Sequence, residues 1–411
     1  MADLIKLKIQ SLVYGGSGMV RLPDGSAVFV PFTMPDEEVI IRIREKKRNY
    51  SLADLIEVVK PHPERVEAPC SHFGFCGGCH YQHLPYQVQV EVKRQILTEQ
   101  LRRLAGIPVV NIQHVVPSPL EWAYRNAMQF HLNPSGALCF ADHADNSLFP
   151  VKECRLPMSA IHRIWRQCVF DSSGDLERIE FRQNQDDDAL ILMMARTNAM
   201  PELEIHAAVS VVHQSPQDQV VIAGEDALMM QVLDKVFQVS AQSFFQVNLK
   251  AAAGMVNLVK EWANQWKPDF IMDLYSGVGL FSAFLAPDVK RVVAVESSAT
   301  ACRDYAVNLD AYDHIELYEG LVEQVLPGLD QNPDLIIVDP PRSGIHKNAL
   351  QAIMRLDPKA LIYISCDPAT LARDLSVLVR YGYQLERLAL IDMFPQTYHI
   401  ETVALMSRVT Q

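Results

Sequence analysis

The sequence predicts an α/β protein whose C-terminal part is a parallel, doubly wound sheet, preceded by a central α+β region and an N-terminal OB-like barrel. From about residue 268, apolar strands alternate with helical segments, which is typical of a parallel sheet with ligands at the carboxyl ends of its strands. The first 60 residues read instead as about five short strands separated by Gly- and Pro-containing turns, as in a small barrel. We therefore expect domains at 1–60, 61–238 and 239–411.

Length and composition agree with several domains and exclude some classes of protein. A chain of 411 residues is too long for one ordinary core, and 49% hydrophobic with 21% charged residues is typical of a globular protein. The longest apolar runs, such as ALILMMA, are shorter than the ~20 residues of a membrane span. The N-terminus lacks the pattern of a signal peptide. We expect a cytoplasmic monomer that does not contact a membrane.

The charge distribution bears on nucleic-acid binding. A net charge of −12 argues against nonspecific binding to nucleic acid. The first 60 residues carry 9 Lys and Arg against 8 Asp and Glu, and they include the cluster REKKRNY at 44–50. An RNA substrate would have to meet local basic patches on an acidic protein.

The N-terminal strands are indicated by alternation. Ile5, Leu7 and Ile9 alternate with polar residues, and EVIIRIRE at 38–45 continues the pattern. The segment PHPERVEAP at 61–69 is interpreted as a linker. These features predict that the barrel ends near residue 60.

A cysteine motif opens the central region. Cys70, Cys76 and Cys79 give the spacing C-x5-C-x2-C, and Cys154 follows some 75 residues later. In a reducing compartment clustered cysteines indicate metal binding or catalysis. Thiolates bind both zinc and iron–sulfur centres, and the spacing alone does not separate the two.

Two elements of the central region are predicted from local pattern. Apolar residues at helical spacing predict a helix from about Pro85 to Leu104. The polar run QNQDDDAL at 183–190 predicts a hairpin turn.

The stretch IMDLYSGVGLFSAFLA at 271–286 predicts a strand, a glycine turn and a helix. Gly277 and Gly279 would let a ligand approach the backbone, and Glu296 at the end of the next strand is placed to bind ribose hydroxyls. With one G-x-G only, a pyrophosphate site is less well matched than S-adenosylmethionine (AdoMet). The alternative is a purely structural turn.

Two further strand ends carry chemically active residues. Asp339 begins DPPRSG after an apolar strand, and its rigid turn would point it toward the cofactor. Cys366 closes the next strand in LIYISCDPATLARDL, where it is either a small buried hydrophobe or a nucleophile. A nucleophile has a purpose if the target is a pyrimidine carbon, because thiolate addition at C6 activates C5 toward a methyl group. A base must then remove the C5 proton.

The motifs SCDPATLARDL, DPPRSG, DLYSGVGLFS and MFPQTYHIETVALMSR resemble the RNA uracil-5-methyltransferase family over nearly the whole chain. This resemblance implies a class I Rossmann-like methyltransferase domain that makes 5-methyluridine in tRNA or large-subunit rRNA. It implies that Cys366 is the nucleophile, that Glu401 is the base, and that Asp339 lies at the cofactor and target-base site. It also implies AdoMet contacts from Gln246, Tyr275, Glu296 and Asp339, in addition to the turn residues Gly277 and Gly279.

The N-terminal half carries two further resemblances. CSHFGFCGGCHYQH is similar to the [4Fe–4S] motif of the rRNA-type members and of some tRNA-type members, which implies that the cluster is held by Cys70, Cys76, Cys79 and Cys154. Residues 1–60 resemble the TRAM module, an OB-like RNA-binding barrel. Together they imply 23S rRNA as substrate, with tRNA as the alternative. A non-catalytic iron–sulfur RNA-binding protein is the alternative from another class, and intact Cys366, Glu401 and Asp339 argue against it.

Overall fold

The computed structural model describes residues 4–108, 110–170 and 175–408. The strands in chain order are β1 (Leu4–Lys8), β2 (Ser11–Leu12), β3 (Ser17–Arg21), β4 (Ala27–Pro31), β5 (Glu38–Lys46), β6 (Tyr50–Lys60), β7 (His114–Val116), β8 (Ala127–Leu132), β9 (Leu138–Ala141), β10 (Leu148–Pro150), β11 (Val169–Phe170), β12 (Leu176–Gln183), β13 (Ala189–Ala195), β14 (Leu203–Glu204), β15 (Ser210–Gln214), β16 (Gln219–Ala223), β17 (Ala227–Val232), β18 (Lys235–Ser240), β19 (Phe270–Leu274), β20 (Arg291–Glu296), β21 (Ile315–Glu319), β22 (Leu335–Val338), β23 (Ala360–Ser365), β24 (Tyr383–Ile391) and β25 (Glu401–Arg408). The α-helices are α1 (Tyr86–Gln100), α2 (Ser159–Ile164), α3 (Leu249–Trp266), α4 (Leu280–Leu285), α5 (Ala299–Asn308), α6 (Val322–Val325), α7 (Lys347–Leu356) and α8 (Pro368–Arg380).

The chain forms two compact units. The first contains Met1–Glu99, Phe140–Arg155 and Phe394–His399, and the second contains the remaining residues. These units do not follow the boundaries expected after residues 60 and 238, and the division into three domains stays a prediction. Within the described part of the chain, no helix is long and apolar enough to cross a membrane.

The first unit begins with a six-stranded sheet in the order β1-β5-β6-β4-β3-β2. Its strands confirm the alternation expected for the first 60 residues, since the side chains of β1 are exposed and half-buried in turn. The inner face forms a core with Val28, Val30, Val39 and Ile41 at its centre. The basic segment 44–50 is exposed around the turn from β5 to β6. Its identification as a TRAM module stays a prediction.

Helix α1 confirms the helix expected near 85–104. Regular helix ends at Gln100, and a π-helical turn continues to Ala105 before Gly106 takes a left-handed conformation. Within the first unit, α1 also holds the segment Phe394–His399. Gln89 Nε2 donates to Gln396 Oε1 at 2.9 Å, and Gln396 N donates back to Gln89 Oε1 at 2.8 Å.

The second unit contains a mixed sheet in which β8, β12, β13, β15 and β16 follow one another. Strands β12 and β13 are antiparallel and pair from Leu176↔Ala195 to Gln183↔Ala189. The turn between them confirms the hairpin predicted at 183–190.

The second sheet of this unit has eight strands in the order β21-β20-β19-β22-β23-β25-β24-β7. The first five are parallel, but β25 runs antiparallel to both β23 and β24. The expectation of a wholly parallel sheet was therefore wrong. A parallel crossover needs a dozen or more residues, and residues 392–400 are too few to make one between β24 and β25. Strand β7 was also not expected, because it comes from the region between the cysteine motif and the hairpin.

Candidate active site

Cys366 lies at the junction of β23 and α8. Asp367 caps the helix, because its Oδ1 accepts from Ala369 N at 3.0 Å and Thr370 N at 2.9 Å, and Pro368 occupies the first helical position. All six residues of β23 are buried, whereas Cys366 is half-buried. The local sequence thus ends the strand at the point where the thiol becomes accessible.

Asp339 follows β22, the neighbour of β23, and is half-buried. Helix α8 holds the loop that continues from it. Thr370 Oγ1 donates to Arg342 O at 3.2 Å, and the buried Asp374 accepts from Ile345 N at 2.9 Å. The same helix that begins after Cys366 therefore fixes the DPPRSG loop.

Glu401 is the first residue of β25 and is 4% exposed. In the antiparallel ladder Thr402 pairs with Ser365, so the start of β25 lies beside the end of β23. This register brings Glu401 to the edge of the sheet at which Cys366 and Asp339 lie. Antiparallel pairing is what allows the beginning of one strand to meet the ends of the others.

The electrostatics of these groups show that they act on one another. Burial, followed by the charges of Glu401 and Asp339, raises the pKa of the Cys366 thiol to about 12, while Arg342 acts in the opposite direction. Burial, followed by the charge of Asp339, raises the pKa of Glu401 well above its usual range, and again Arg342 opposes this. Both shifts favour the protonated form, the thiol of Cys366 and the carboxyl of Glu401.

Asp273, near the end of β19, is a member of this acidic group that the sequence analysis missed. It is fully buried, and burial raises its pKa to about 6 although Ser282 donates to it. Its Oδ2 accepts from Ser282 N at 3.1 Å and Ser282 Oγ at 2.6 Å. Burial and then the charge of Asp273 raise the pKa of Asp339 to about 7. The only signal in the sequence was an Asp within the apolar run FIMDL.

The predicted glycine turn follows β19, and its two glycines differ. Tyr275, Gly277 and Gly279 all have positive φ, at 62°, 54° and 89°. A Cβ on Gly277 would meet no atom within 4 Å, whereas a Cβ on Gly279 would lie 2.3 Å from Leu309 Cδ1. Gly277 therefore borders open space, and Gly279 is required by packing against the end of α5. A cofactor role for either glycine stays a prediction.

Of the remaining predicted cofactor residues, Tyr275 belongs to this turn and Glu296 is bonded to it. Glu296 Oε2 accepts from Gly277 N at 2.9 Å, and its Oε1 accepts from Ser297 N at 2.7 Å. Gln246 is buried in the loop before α3. Burial raises the pKa of Tyr275 to about 12. The buried Ser276 Oγ has no hydrogen-bond partner within the described residues, which leaves a donor available for a ligand.

The four predicted cluster ligands belong to the first unit. Cys79 and Cys154 are buried, and Cys70 and Cys76 are half-buried. Burial, and then Cys154, Cys76 and Cys70, raise the pKa of Cys79, so the four thiols share one neighbourhood. Among the described residues, however, no three His, Cys, Asp or Glu side chains form a group that could hold a metal ion. The cluster stays a prediction.

The segment that carries Cys154 is joined to the cysteine motif by hydrogen bonds within the first unit. Ser71 N donates to Glu153 Oε1 at 2.7 Å, and Gly77 N donates to Ala141 O at 3.0 Å. These bonds explain how a cysteine 75 residues away in sequence reaches the others.

Comparison with known proteins identifies relatives along almost the full chain. Residues 179–319 and 328–409 match the tRNA (uracil-5-)-methyltransferase family. An uncharacterized RNA methyltransferase of Thermotoga maritima is 31% identical over 97% of this chain and 98% of its own, and one of Aquifex aeolicus is 32% identical over 98% of both. The crystal structure of the Pyrococcus abyssi tRNA (uracil-54, C5)-methyltransferase with S-adenosyl-L-homocysteine covers 98% of this chain and 100% of its own, with a TM-score of 0.76 at 24% identity. That similarity shows a shared methyltransferase fold.

Proposed function

We propose the function of this chain from one premise: it belongs to the tRNA (uracil-5-)-methyltransferase family. The proposed reaction is AdoMet-dependent methylation of uracil C5 in structured RNA, with 23S rRNA as the substrate. The observation that carries it is the convergence of Cys366, Glu401 and Asp339 at one edge of the eight-stranded sheet.

The residues around the glycine turn fit AdoMet. Open space at Gly277 and the orphaned hydroxyl of Ser276 provide room and a donor. Asp273, Glu296 and Asp339 make the surroundings acidic, which suits a cationic sulfonium better than a pyrophosphate. When bound, AdoMet supplies an electrophilic methyl group. Gln246, Tyr275, Glu296 and Asp339 are proposed to hold it.

Cys366 performs the first step. The thiol gives its proton to solvent, and the thiolate forms a bond to C6 of the uracil ring while the electron pair of the C5–C6 double bond moves onto C5 and the O4 carbonyl. C5 thereby becomes nucleophilic enough to take the methyl group. Arg342 is the charged residue that favours the thiolate over the thiol.

Glu401 performs the last step. Its carboxylate removes the remaining proton from C5, the electron pair re-forms the C5–C6 bond, and the Cys366 thiolate leaves C6. Burial gives this carboxylate a high proton affinity, which favours abstraction of a proton from carbon. The target uridine must leave its stack before either residue can reach it.

For RNA contact we propose the N-terminal sheet as a TRAM module. The exposed basic segment 44–50 supports this, because phosphate contacts need local positive charge on a protein with a net charge of −12.

For the cysteine motif we propose a structural [4Fe–4S] cluster on Cys70, Cys76, Cys79 and Cys154. The proximity of the four cysteines supports it. Burial raises the pKa of Cys76 and Cys79, and a bound metal centre would remove the protons of such thiols.

The second candidate substrate is tRNA. The description of the matching family and that of the Pyrococcus abyssi protein both favour it. The combination of the cysteine motif with the N-terminal module resembles the rRNA-type members and favours 23S rRNA, although some tRNA-type members also carry the cysteine motif.

Incubation with methyl-tritiated AdoMet and total RNA from a strain that lacks this chain tests the proposal. Label in 23S rRNA as 5-methyluridine is the expected result, and label in tRNA supports the second candidate. Cys366→Ala is the matched control and should give no label. Absence of incorporation by the wild-type protein would instead support a non-catalytic iron–sulfur RNA-binding protein.

A further inference from the structure

The turn Ser240–Ser243, which leads to Gln246, is held by a buried carboxylate. Asp304 lies on α5 with no exposed surface. Its Oδ2 accepts from Ser240 N at 2.8 Å and Ser243 Oγ at 2.5 Å, and its Oδ1 accepts from Ser240 Oγ at 2.6 Å. One carboxylate thus receives three short hydrogen bonds from a single turn.

A cation holds the same turn through its carbonyl groups. Arg182, at the end of β12, donates from Nη1 to Ser240 O at 3.1 Å and to Ser243 O at 2.7 Å. Arg182 also pairs with Glu180. The donors of the turn therefore bind the carboxylate of Asp304, and its carbonyl groups bind the guanidinium of Arg182. These two opposite charges fix the orientation of the turn as well as its position.

The same face of α5 also holds the glycine turn. Asn308, one helical turn after Asp304, donates from Nδ2 to Val278 O at 3.0 Å and accepts from Gln238 N at 2.7 Å. Val278 lies between the two glycines of the cofactor turn, and Gln238 lies on β18, which leads into the Ser240–Ser243 turn. Helix α5 is thus a common support for two segments that are distant in sequence.

We propose that Asp304 is a positioning residue for the cofactor. It sets the Ser240–Ser243 turn against α5 so that Gln246 faces the same ligand as the glycine turn held by Asn308. This inference rests on the proposed function, in which Gln246 contacts AdoMet. A carboxylate fits because each of its oxygens accepts from a nitrogen donor, Ser240 N on one and Gln238 Nε2 on the other, and an Asn amide would set its own N–H group against one of them.

The test is Asp304→Asn, measured by calorimetric binding of AdoMet and by kinetics with RNA. The dissociation constant for AdoMet should rise about 10- to 100-fold, the loss expected for charge-assisted hydrogen bonds. The KM for RNA and the kcat at saturating AdoMet should stay within about threefold of wild type. Ser243→Ala removes one donor without burying a mismatched group, so this variant should fold and should bind AdoMet several-fold more weakly. In the double variant with Asp304→Asn, the two effects on AdoMet affinity should not add.

Asp334→Asn is the matched control. Asp334 also accepts two backbone N–H groups, from Asp269 at 2.9 Å and Phe270 at 3.0 Å, but these lie at the amino end of β19. It should lower the melting temperature and leave AdoMet affinity unchanged. The inference is overturned if wild type binds AdoMet and methylates uridine while both Asp304→Asn and Ser243→Ala bind AdoMet normally. A wild-type protein that binds no AdoMet would overturn the proposed function together with it.

Discussion

Replacing Glu401 with Gln removes a carboxylate from the site and keeps the volume of the side chain. Gln cannot accept a proton from C5, but it does not obstruct the attack by Cys366 or the methyl transfer. The variant should therefore carry the reaction through methylation and stop before the cysteine is released. The expected species is a covalent protein–RNA adduct that already contains the methyl group.

The size of the effect follows from the role and the burial of this residue. A positioned general base contributes about 10²- to 10⁴-fold, so elimination should slow by that factor, or roughly 3 to 5 kcal/mol in the barrier. Stability should not fall. Because the pKa of Glu401 is raised in the folded protein, its ionisation costs folding free energy as the pH rises above the ordinary carboxyl range, and neutral Gln avoids that cost.

Glu37 supplies the matched control, a buried carboxylate with an assigned structural role. It has no exposed surface and pairs with Arg65 at 2.8 Å, while also accepting from Met34 N at 2.8 Å. Glu37→Gln should lower the free energy of unfolding by roughly 1 to 3 kcal/mol, because a charge-assisted pair is lost. It should release free methylated RNA without accumulating an adduct.

The assay is a denaturing gel after incubation with methyl-labelled AdoMet and unmodified RNA. Glu401→Gln should give a shifted band that carries label, at one equivalent per protein or less, and little free labelled RNA. Free labelled product from Glu401→Gln with no shifted band, together with the lower stability expected of Glu37→Gln, would refute the assignment of Glu401 as the base.

Three further predictions concern the nucleophile, the cysteine motif and the acidic group. Cys366→Ala should abolish methyl transfer with AdoMet affinity within about twofold of wild type, and 5-fluorouridine in the target RNA should trap wild type covalently; methylation without any such adduct would exclude the covalent route. Anaerobically purified protein should contain about four irons with sulfide and lose them in Cys154→Ala, whereas stoichiometric zinc without iron would contradict the cluster. At pH 7 the free energy of unfolding of Asp273→Asn should exceed that of wild type by about 3 kcal/mol. The reason is that folding raises the pKa of Asp273 to about 6, so the wild-type protein loses stability when this carboxyl ionises. The gain in stability should largely vanish near pH 4, where Asp273 is protonated in the folded wild-type protein. Denaturant titrations that show an equal gain at pH 7 and pH 4 would contradict this prediction.

Structural features that depend only on residues close together in the sequence could be predicted from the sequence. The alternation of β1, the helix after the cysteine motif and the turn between β12 and β13 each follow from local periodicity or turn chemistry. The position of Cys366 directly after β23 could be predicted for the same reason, because Asp367 and Pro368 begin α8 and so end the strand before the cysteine.

The position of Glu401 depends on long-range pairing and could not be predicted in this way. In a wholly parallel sheet, a residue that begins a strand lies at the opposite edge from residues that end strands, so Glu401 and Cys366 would have been far apart. The short connection before β25 reverses that strand, and the resemblance of its motif, rather than its periodicity, indicated Glu401 as a site residue. Likewise Gly277 and Gly279 look equivalent in sequence, and only the packing of Leu309 separates them.

The coupling between the acidic groups is compatible with the proposed nucleophile and the proposed base in one site. The charge of Glu401 is among the causes that raise the pKa of Cys366, so the thiolate forms most readily while Glu401 is protonated. Once the sulfur of Cys366 is bonded to C6 it carries no charge, and ionisation of Glu401 no longer opposes a neighbouring thiolate. Burial therefore disfavours a Cys366 thiolate and a Glu401 carboxylate at the same time, but it permits one after the other. The proposed reaction needs them in that order, with attack by the thiolate before proton removal by the carboxylate. Arg342, which lowers the pKa of both groups, makes each single charge accessible in its turn.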